Sequence, residues 1–268
     1  LTAGKLLSFL VIFSYGVSSL HYVLYLPTKK EKLLKVGEWG AKLGLLFNFA
    51  LILLFAGEKV VPFSPKGVFL VLSFAVASVF VFYSLKKNLD LSGPFLMPVA
   101  TLFAILSVVS KNCLPNVHPS TVGTIHIVLA LFGYGFFIFA GVTSGLYLLL
   151  DAHLKKKKPS VFFFNLTSLP SLEQTIYTSV GLGFVFITVS MFAGAIWSQQ
   201  VFGTYWLWHP KQVATLVVWL FYASVIHLYL NRKWKGRRFC YLNLLGVFVI
   251  FLNFIGVNLT AKGDVHAF

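Results

Sequence analysis

The stretch VGTIHIVLALFGYGFFIFAGVTSGLYLLL, residues 122–150, runs its whole length without one Asp, Glu, Lys or Arg. A bilayer accepts such a run as a helix of about 20 residues or somewhat more, because a helix satisfies its own backbone polar groups where no water is present. Seven further segments meet the same rule, near 6–26, 39–56, 67–85, 94–110, 178–197, 210–230 and 239–259. The expected fold is therefore all-α, a polytopic membrane helical bundle of about eight transmembrane helices. Composition agrees: 58% of residues are hydrophobic, 11% are charged and the mean hydropathy is +0.85, far from the balance of a soluble domain. The first span continues past a signal-peptide core into Pro27-Thr28-Lys29-Lys30 without a small-residue cleavage pattern, and reads as an anchor.

Basic residues orient these spans. The loops 27–42, 86–93, 151–177 and 231–238 hold five, two, four and five of the 22 Lys and Arg residues. Basic loops stay on the cytoplasmic side, so this alternation predicts an even number of spans with both termini extracytoplasmic. The net charge of +15 is then chiefly a topology signal. Runs such as Lys155 to Lys158 and NRKWKGRR abut helix ends, where the anionic lipid of the bilayer is the expected partner and no nucleic acid is. Cys113 and Cys240 fit no CxxC spacing and fall on opposite sides of this topology, which excludes a disulfide between them. There is no GxGxxG, P-loop, HExxH or GxSxG, and Asp151 and Glu173 beside the inner loop find no second carboxylate spaced for acid and base work.

What remains is aromatic and histidine. Three of the six tryptophans, Trp197, Trp206 and Trp208, fall within twelve residues that end at His209-Pro210. Proline suits the first turn of a helix and pushes its predecessor out of helical geometry, so the loop should end at His209. Between Trp197 and that point, Phe202, Tyr205, Trp206 and Trp208 interleave with Ser198, Gln199, Gln200 and Thr204, a pattern that predicts a short amphipathic helix lying in the membrane interface. An ordinary aromatic belt explains tryptophans at a membrane surface equally well. Clustering in one loop favours a shelf for a flat apolar ligand.

The topology sorts seven histidines by depth. His118, His126, His209 and His266 belong to the outer side, while His21, His153 and His227 lie near the inner ends of their spans. A lone membrane histidine is usually a hydrogen-bonded packing residue, yet ionisable groups inside a span are costly in hydrocarbon and mark candidate sites. Imidazole is also the common axial ligand of haem iron, and two outer histidines beside an aromatic platform satisfy that geometry. His21 lies at the depth of His227, so the two are candidates for one membrane haem. Gly133, Gly141 and Gly145 read as close helix contacts, and Asn253 and Asn258 as hydrogen bonds across helices or the lining of a cavity.

The segments IHIVLALFGYGFFIFAGVTSGLYLLL, LPSLEQTIYTSVGLGF, GAIWSQQVFGTYWLWHPKQVATLVVWLFYASVIHLYL, WKGRR and NFIGVNLTAKGDVHAF resemble, in this order, the CcsA or ResC type of cytochrome c assembly protein, the haem-handling proteins marked by an external tryptophan-rich (WWD) motif. The resemblance covers about residues 120–268. It divides the chain into N-terminal transmembrane helices, 1–118, and a haem-handling core, 119–268, with the external loop 197–209. It implies b-type, non-covalently bound haem against Trp197, Tyr205, Trp206 and Trp208, with His126 and His266 as axial ligands and His227 in a second, membrane-embedded haem site. The mate of His227 would come from a CcsB- or ResB-type partner. The implied reaction joins haem vinyl groups to the CxxCH thiols of apocytochrome c, in a bacterial inner (cytoplasmic) membrane or a thylakoid membrane. Lys211 and Lys262 stand outside for the haem carboxylates.

The family motif reads W-G-x-Y-W-x-W-D-P-K-E, and this chain has His209 for Asp and Gln212 for Glu. Asp is a strong helix cap and His is not among the preferred ones, so the exchange predicts a weakened start to the next helix. His209 is alternatively an added ligand or carboxylate contact. Three functions stay open: haem delivery within a cytochrome c synthase, a non-catalytic haem-binding relative or scaffold for haem biosynthesis, and a cytochrome b-like electron-transfer subunit.

Overall fold

The computed structural model describes residues 3–57, 62–87, 92–110, 120–156, 168–231 and 234–260, without the side chains of 86–87 and 254–260. They form eight helices and no strand: α1 Ala3–Thr28, α2 Glu31–Gly57, α3 Pro65–Lys87, α4 Gly93–Val109, α5 Thr121–Lys155, α6 Leu169–Phe202, α7 Pro210–Leu230 and α8 Arg237–Thr260. Among the described residues six of these are long and apolar enough to cross a membrane, namely all but α4 and α8. Large apolar side chains stand exposed around the bundle, among them Phe9, Phe13, Leu46, Val109, Phe192 and Phe248, as lipid contact requires and water forbids.

The helices assemble as two groups of four. In the first, α1 packs on α2 and α4, and α3 on α4. Lipid tails are as apolar as leucine, so helices in a membrane associate through close packing and interhelical hydrogen bonds. Ser18 Oγ donates to the Gly37 carbonyl at 2.7 Å, Ser19 and Thr101 share a hydrogen bond at 3.0 Å, and Ser73 Oγ donates to the Ala100 carbonyl at 3.0 Å. Asn48 sits between them and donates to Tyr15 Oη at 3.4 Å and Ser73 Oγ at 3.2 Å. In the second group α5 lies along α6 and α8, and α7 closes against α8 and α6. The α3–α5 contact joins the groups through the stacked Tyr83 and Phe139 rings, 4.5 Å apart, and Ser179 Oγ on α6 donates to Tyr83 Oη at 2.9 Å.

Small residues decide how closely α5 approaches its neighbours, but not in the expected pairing. Gly133 faces α6, where a Cβ would meet Ile187 Cγ1 at 2.7 Å, and Gly183 answers it, where a Cβ would meet Phe137 Cε1 at 2.7 Å. Gly141 instead accepts Val247 of α8, and Gly145 has nothing within 4 Å among the described residues. Gly141 and Gly145, four residues apart and so on one side of α5, therefore do not form one seam: only Gly141 takes a neighbouring side chain.

Two helices run longer than hydropathy indicated. The α6 helix begins at Leu169, nine residues before its apolar run, behind Ser168 and with Pro170 in its first turn. The α2 helix begins at Glu31, with Lys29 in the left-handed region (φ 54°) at the two-residue turn from α1. At this end Asp151 binds Arg237 and Lys155, and Glu173 accepts from the Gly236 N–H at 3.1 Å, tying α5, α6 and α8 together. His126 lies near the other end of α5, roughly 38 Å away at the helical rise.

Candidate functional site

At that other end a cleft of about 180 Å³ opens between α5, α6 and α7, with Val68 of α3 and Asn253 of α8 also on its wall. Its lining brings together His126, Trp197, Tyr205, Trp206 and Lys211 from the residues singled out in the sequence. Ile127, Ala130, Leu131, Met191 and Ala195 supply the apolar surface, and Tyr134, Thr215 and Asn253 a polar floor.

His126 is held by α6. Its Nδ1 lies 2.7 Å from the Ser190 carbonyl oxygen, which only accepts, so Nδ1 carries the proton and the lone pair is on Nε2. Ser190 Oγ stands 3.0 Å from the same nitrogen and donates to the His126 carbonyl at 2.8 Å. Gly194, one turn further, leaves room for the ring: a Cβ there would lie 2.7 Å from both Cε1 and Nδ1. The Trp197 indole stacks on the imidazole at 6.3 Å between centroids and 22° between planes. Fixing one imidazole nitrogen by a backbone carbonyl is how proteins set the other as a metal ligand.

The segment 197–209 differs from its expected form. Trp197 is buried in α6 rather than standing on an external shelf, and α6 continues to Phe202 with no separate interfacial helix. Gly203 ends α6 in the left-handed region (φ 72°), and only then does a loop of 203–209 begin. Short polar side chains stitch it back: Ser198 Oγ donates to the Thr204 carbonyl at 2.8 Å and Thr204 Oγ1 to the Trp206 carbonyl at 3.2 Å. Trp206 and Trp208 meet edge to face at 5.8 Å, with Tyr205 63% and Trp208 80% exposed.

Both departures from the family motif do structural work. His209 is the N-cap of α7, its Nδ1 accepting from the Lys211 N–H at 3.4 Å, and Pro210 opens the helix as expected. The cap is present, though long for a hydrogen bond. Gln212 Oε1 accepts from the Leu207 N–H at 2.7 Å and closes the loop onto the helix. Restoring the family residue with His209→Asp is expected to raise thermal stability in detergent by about 1 kcal/mol, since Asp caps better than His and lies at the positive helix end. An unchanged or lowered melting temperature would show that the imidazole makes a contact worth more than the cap.

The remaining candidates lie elsewhere. His227 is exposed on α7, outside the cleft. The His21 Nδ1 bonds its own Val17 carbonyl at 2.8 Å, and α1 packs chiefly on α2 and α4 whereas α7 packs on α8 and α6, so the structure does not bring His21 and His227 together. His153 likewise bonds the Leu149 carbonyl at 2.9 Å. His266, His118, Lys262 and Cys113 fall outside the described residues, as does the side chain of Asn258; Cys240 is buried and unbridged. Asn253 fulfils both of its expectations, lining the cleft and donating to Tyr134 Oη at 3.5 Å. Sequence reasoning missed Ser190 and Gly194, which position His126.

Fold and cleft together define a multi-pass helical membrane protein with an aromatic-walled, histidine-bearing cleft at one end of its second four-helix group. A family model described as Cytochrome C assembly protein matches residues 45–264, and the chain belongs to that family. The match reaches well into the first four helices, further than the segment from about 120 onward that carries the motif resemblance. The chain is 29% identical to the cytochrome c biogenesis protein CcsA of Guillardia theta over 210 residues, 70% of this chain and 69% of that one. It is 27% identical to CcsA of Heterosigma akashiwo over 236 residues, 74% and 73% of the two chains. Among solved structures it is similar to Cytochrome c Heme Lyase CcmF, with a TM-score of 0.65 and 15% identity, covering 97% of this chain and 49% of that one. That likeness is one of fold, and this chain spans about half the length of the lyase.

Proposed function

We propose that this protein serves cytochrome c biogenesis by holding b-type haem non-covalently in the cleft and presenting it for attachment to apocytochrome c. One observation carries the reading: an imidazole on the cleft wall whose Nδ1 is committed to the Ser190 carbonyl, so that Nε2 of the uncharged ring would be the ligand atom, set against an indole in an apolar cleft. The residues fit the group. Haem is a large apolar disc that needs aromatic and aliphatic walls, which Trp197, Trp206 and Ile127 would supply to the part of it that a cleft of about 180 Å³ takes in, and an imidazole ligand, which His126 would supply. When bound, haem supplies the vinyl groups to which the CxxCH thiols add. The chain's own task is to fix position, exclude water from the iron's side and keep the axial nitrogen deprotonated.

His266, in the tail beyond α8, is the proposed second axial ligand. His227, exposed on α7, suits a haem site completed by a neighbouring CcsB- or ResB-type subunit, and the outward face of Trp208 suits contact with that partner or with lipid. Basic residues gather at the end of the bundle opposite the cleft, around Lys155 and Arg237, which supports a cleft on the extracytoplasmic face with both termini there, in a bacterial inner or thylakoid membrane. The division into 1–118 and 119–268 parallels the two helix groups.

Retention of the His209 cap and the Gln212 closure favours a working haem loop over a scaffold. Coexpression with a CcsB-type subunit and a CxxCH-bearing apocytochrome decides between them. Covalent haem on the substrate, read by haem staining after denaturing electrophoresis, is expected; haem bound to this chain with no stained product would establish the non-catalytic reading instead.

A further inference from the structure

Among the residues that line the cleft, Lys211 is the one drawn from Lys, Arg, Asp and Glu. It occupies the first turn of α7, where a cation opposes the positive end of the helix dipole, so helix stability gives no reason for a lysine there. Trp206, on the same wall, adds a second donor: its Nε1–H is shielded from solvent and meets no acceptor among the described residues, a costly arrangement for a buried N–H unless a ligand supplies the acceptor. The bond from the Leu207 N–H to Gln212 Oε1, at 2.7 Å, clamps the loop that carries Trp206 onto the helical turn that carries Lys211, so the two donors are held in fixed relation. The polar groups of the floor differ, since Tyr134 and Asn253 already bond each other.

We propose that the Lys211 ammonium and the Trp206 indole N–H receive a carboxylate of the ligand, and so decide which edge of a flat, otherwise apolar disc enters the cleft. This rests on the haem reading above, and deepens it: His126 fixes the centre of the disc, while Lys211 fixes its rotation about that centre. A disc with two carboxylates on one edge has the reactive carbons elsewhere on its rim, so rotation governs which of them a thiol reaches. Lys211 is thus a positioning residue, and a charge-assisted contact is the strong form of hydrogen bond suited to that task.

Two probes test it on the full chain purified in detergent micelles: iron protoporphyrin IX, and its dimethyl ester, which keeps the disc and the iron but carries no negative charge. The wild-type protein should bind the free acid roughly tenfold or more tightly than the ester, the range of a hydrogen bond to a charged group. Lys211→Met should weaken the free acid by about that factor and leave the ester unchanged, bringing the ratio near one, with Lys211→Arg retaining most of the preference. The iron absorption band should keep its position in all three proteins, because His126 is untouched; that readout separates lost recognition from a collapsed cleft. An equal preference in wild type and Lys211→Met overturns this proposal and leaves the haem site standing. Failure of wild type to bind either probe overturns both.

Discussion

Haem affinity of the purified protein is expected to fall more than about 100-fold in His126→Gly, beyond the loss usual for an outer-shell partner, and added imidazole is expected to restore the absorbance band. Removing the ring leaves a space of its own size beside Trp197, and free imidazole can enter it. Ser190→Ala should act more mildly, by about tenfold or less, because the carbonyl that fixes Nδ1 belongs to the backbone and survives the substitution. Gly194→Val separates position from identity. Its Cβ would lie 2.7 Å from His126 Cε1 and Nδ1, so the histidine is present but driven off Ser190. This variant should lose haem as severely as His126→Gly and gain nothing from imidazole, since the space is filled. If the band of His126→Gly, and of the double variant with His266→Ala, matches wild type in position and occupancy, haem is not bound at this cleft.

The spans were legible because hydropathy reports burial in lipid directly, and it loses sight of helices where they leave the hydrocarbon. Glu31, Lys32, Lys35 and Glu38 open α2 outside the apolar stretch, and Glu173 and Gln174 do the same for α6, so both helices start earlier than their apolar cores. Caps carried that information where hydropathy did not: Ser168 with Pro170, like His209 with Pro210, marks a helix start by the absence of an N–H to satisfy. Partner choice along α5 was not legible, since Gly133 and Gly141 look alike in sequence and face different helices.

Within the site, aromatic clustering located the loop but misplaced Trp197, because an indole in a tryptophan-rich segment reads as interfacial until helix phase is considered. Gly183, Ile187, Ser190, Gly194 and Trp197 recur at alternating four- and three-residue steps, which sets them on one face of α6. That face meets α5, where Gly133 and His126 lie. The same spacing marks Ser190 and Gly194 as site residues in the sequence itself: a small residue and a hydroxyl on a stripe that ends in a tryptophan leave room for, and hold, a ring from the neighbouring helix. The His209 exchange was visible in the sequence, but its outcome depended on whether imidazole Nδ1 reaches the Lys211 N–H, which φ and ψ of the cap decide.

In the first four helices, Gly44→Ala is expected to destabilise the protein by about 3 kcal/mol, the sum of overpacking a filled core and disturbing a buried hydrogen bond. The new Cβ would overlap the ring edge of Tyr15, which is 0% exposed. Displacing that ring moves its hydroxyl from Asn48 Nδ2, and Asn48 also donates to Ser73 Oγ, which donates to the Ala100 carbonyl. A single methyl group on α2 therefore acts on α1, α3 and α4 together, since in lipid these bonds and contacts are what hold the helices to one another. Gly16→Ala is the control: no atom of the described residues lies within 4 Å of its Cβ, so it should be neutral or slightly stabilising through helix propensity. Melting in detergent, followed by loss of the monodisperse peak on gel filtration, distinguishes the two. The cleft lies in the other helix group, so Gly44→Ala protein kept below its melting point should bind haem as wild type does; lost affinity without lost fold would mean that the first group shapes the cleft through the α3–α5 contact, where Val68 reaches its wall.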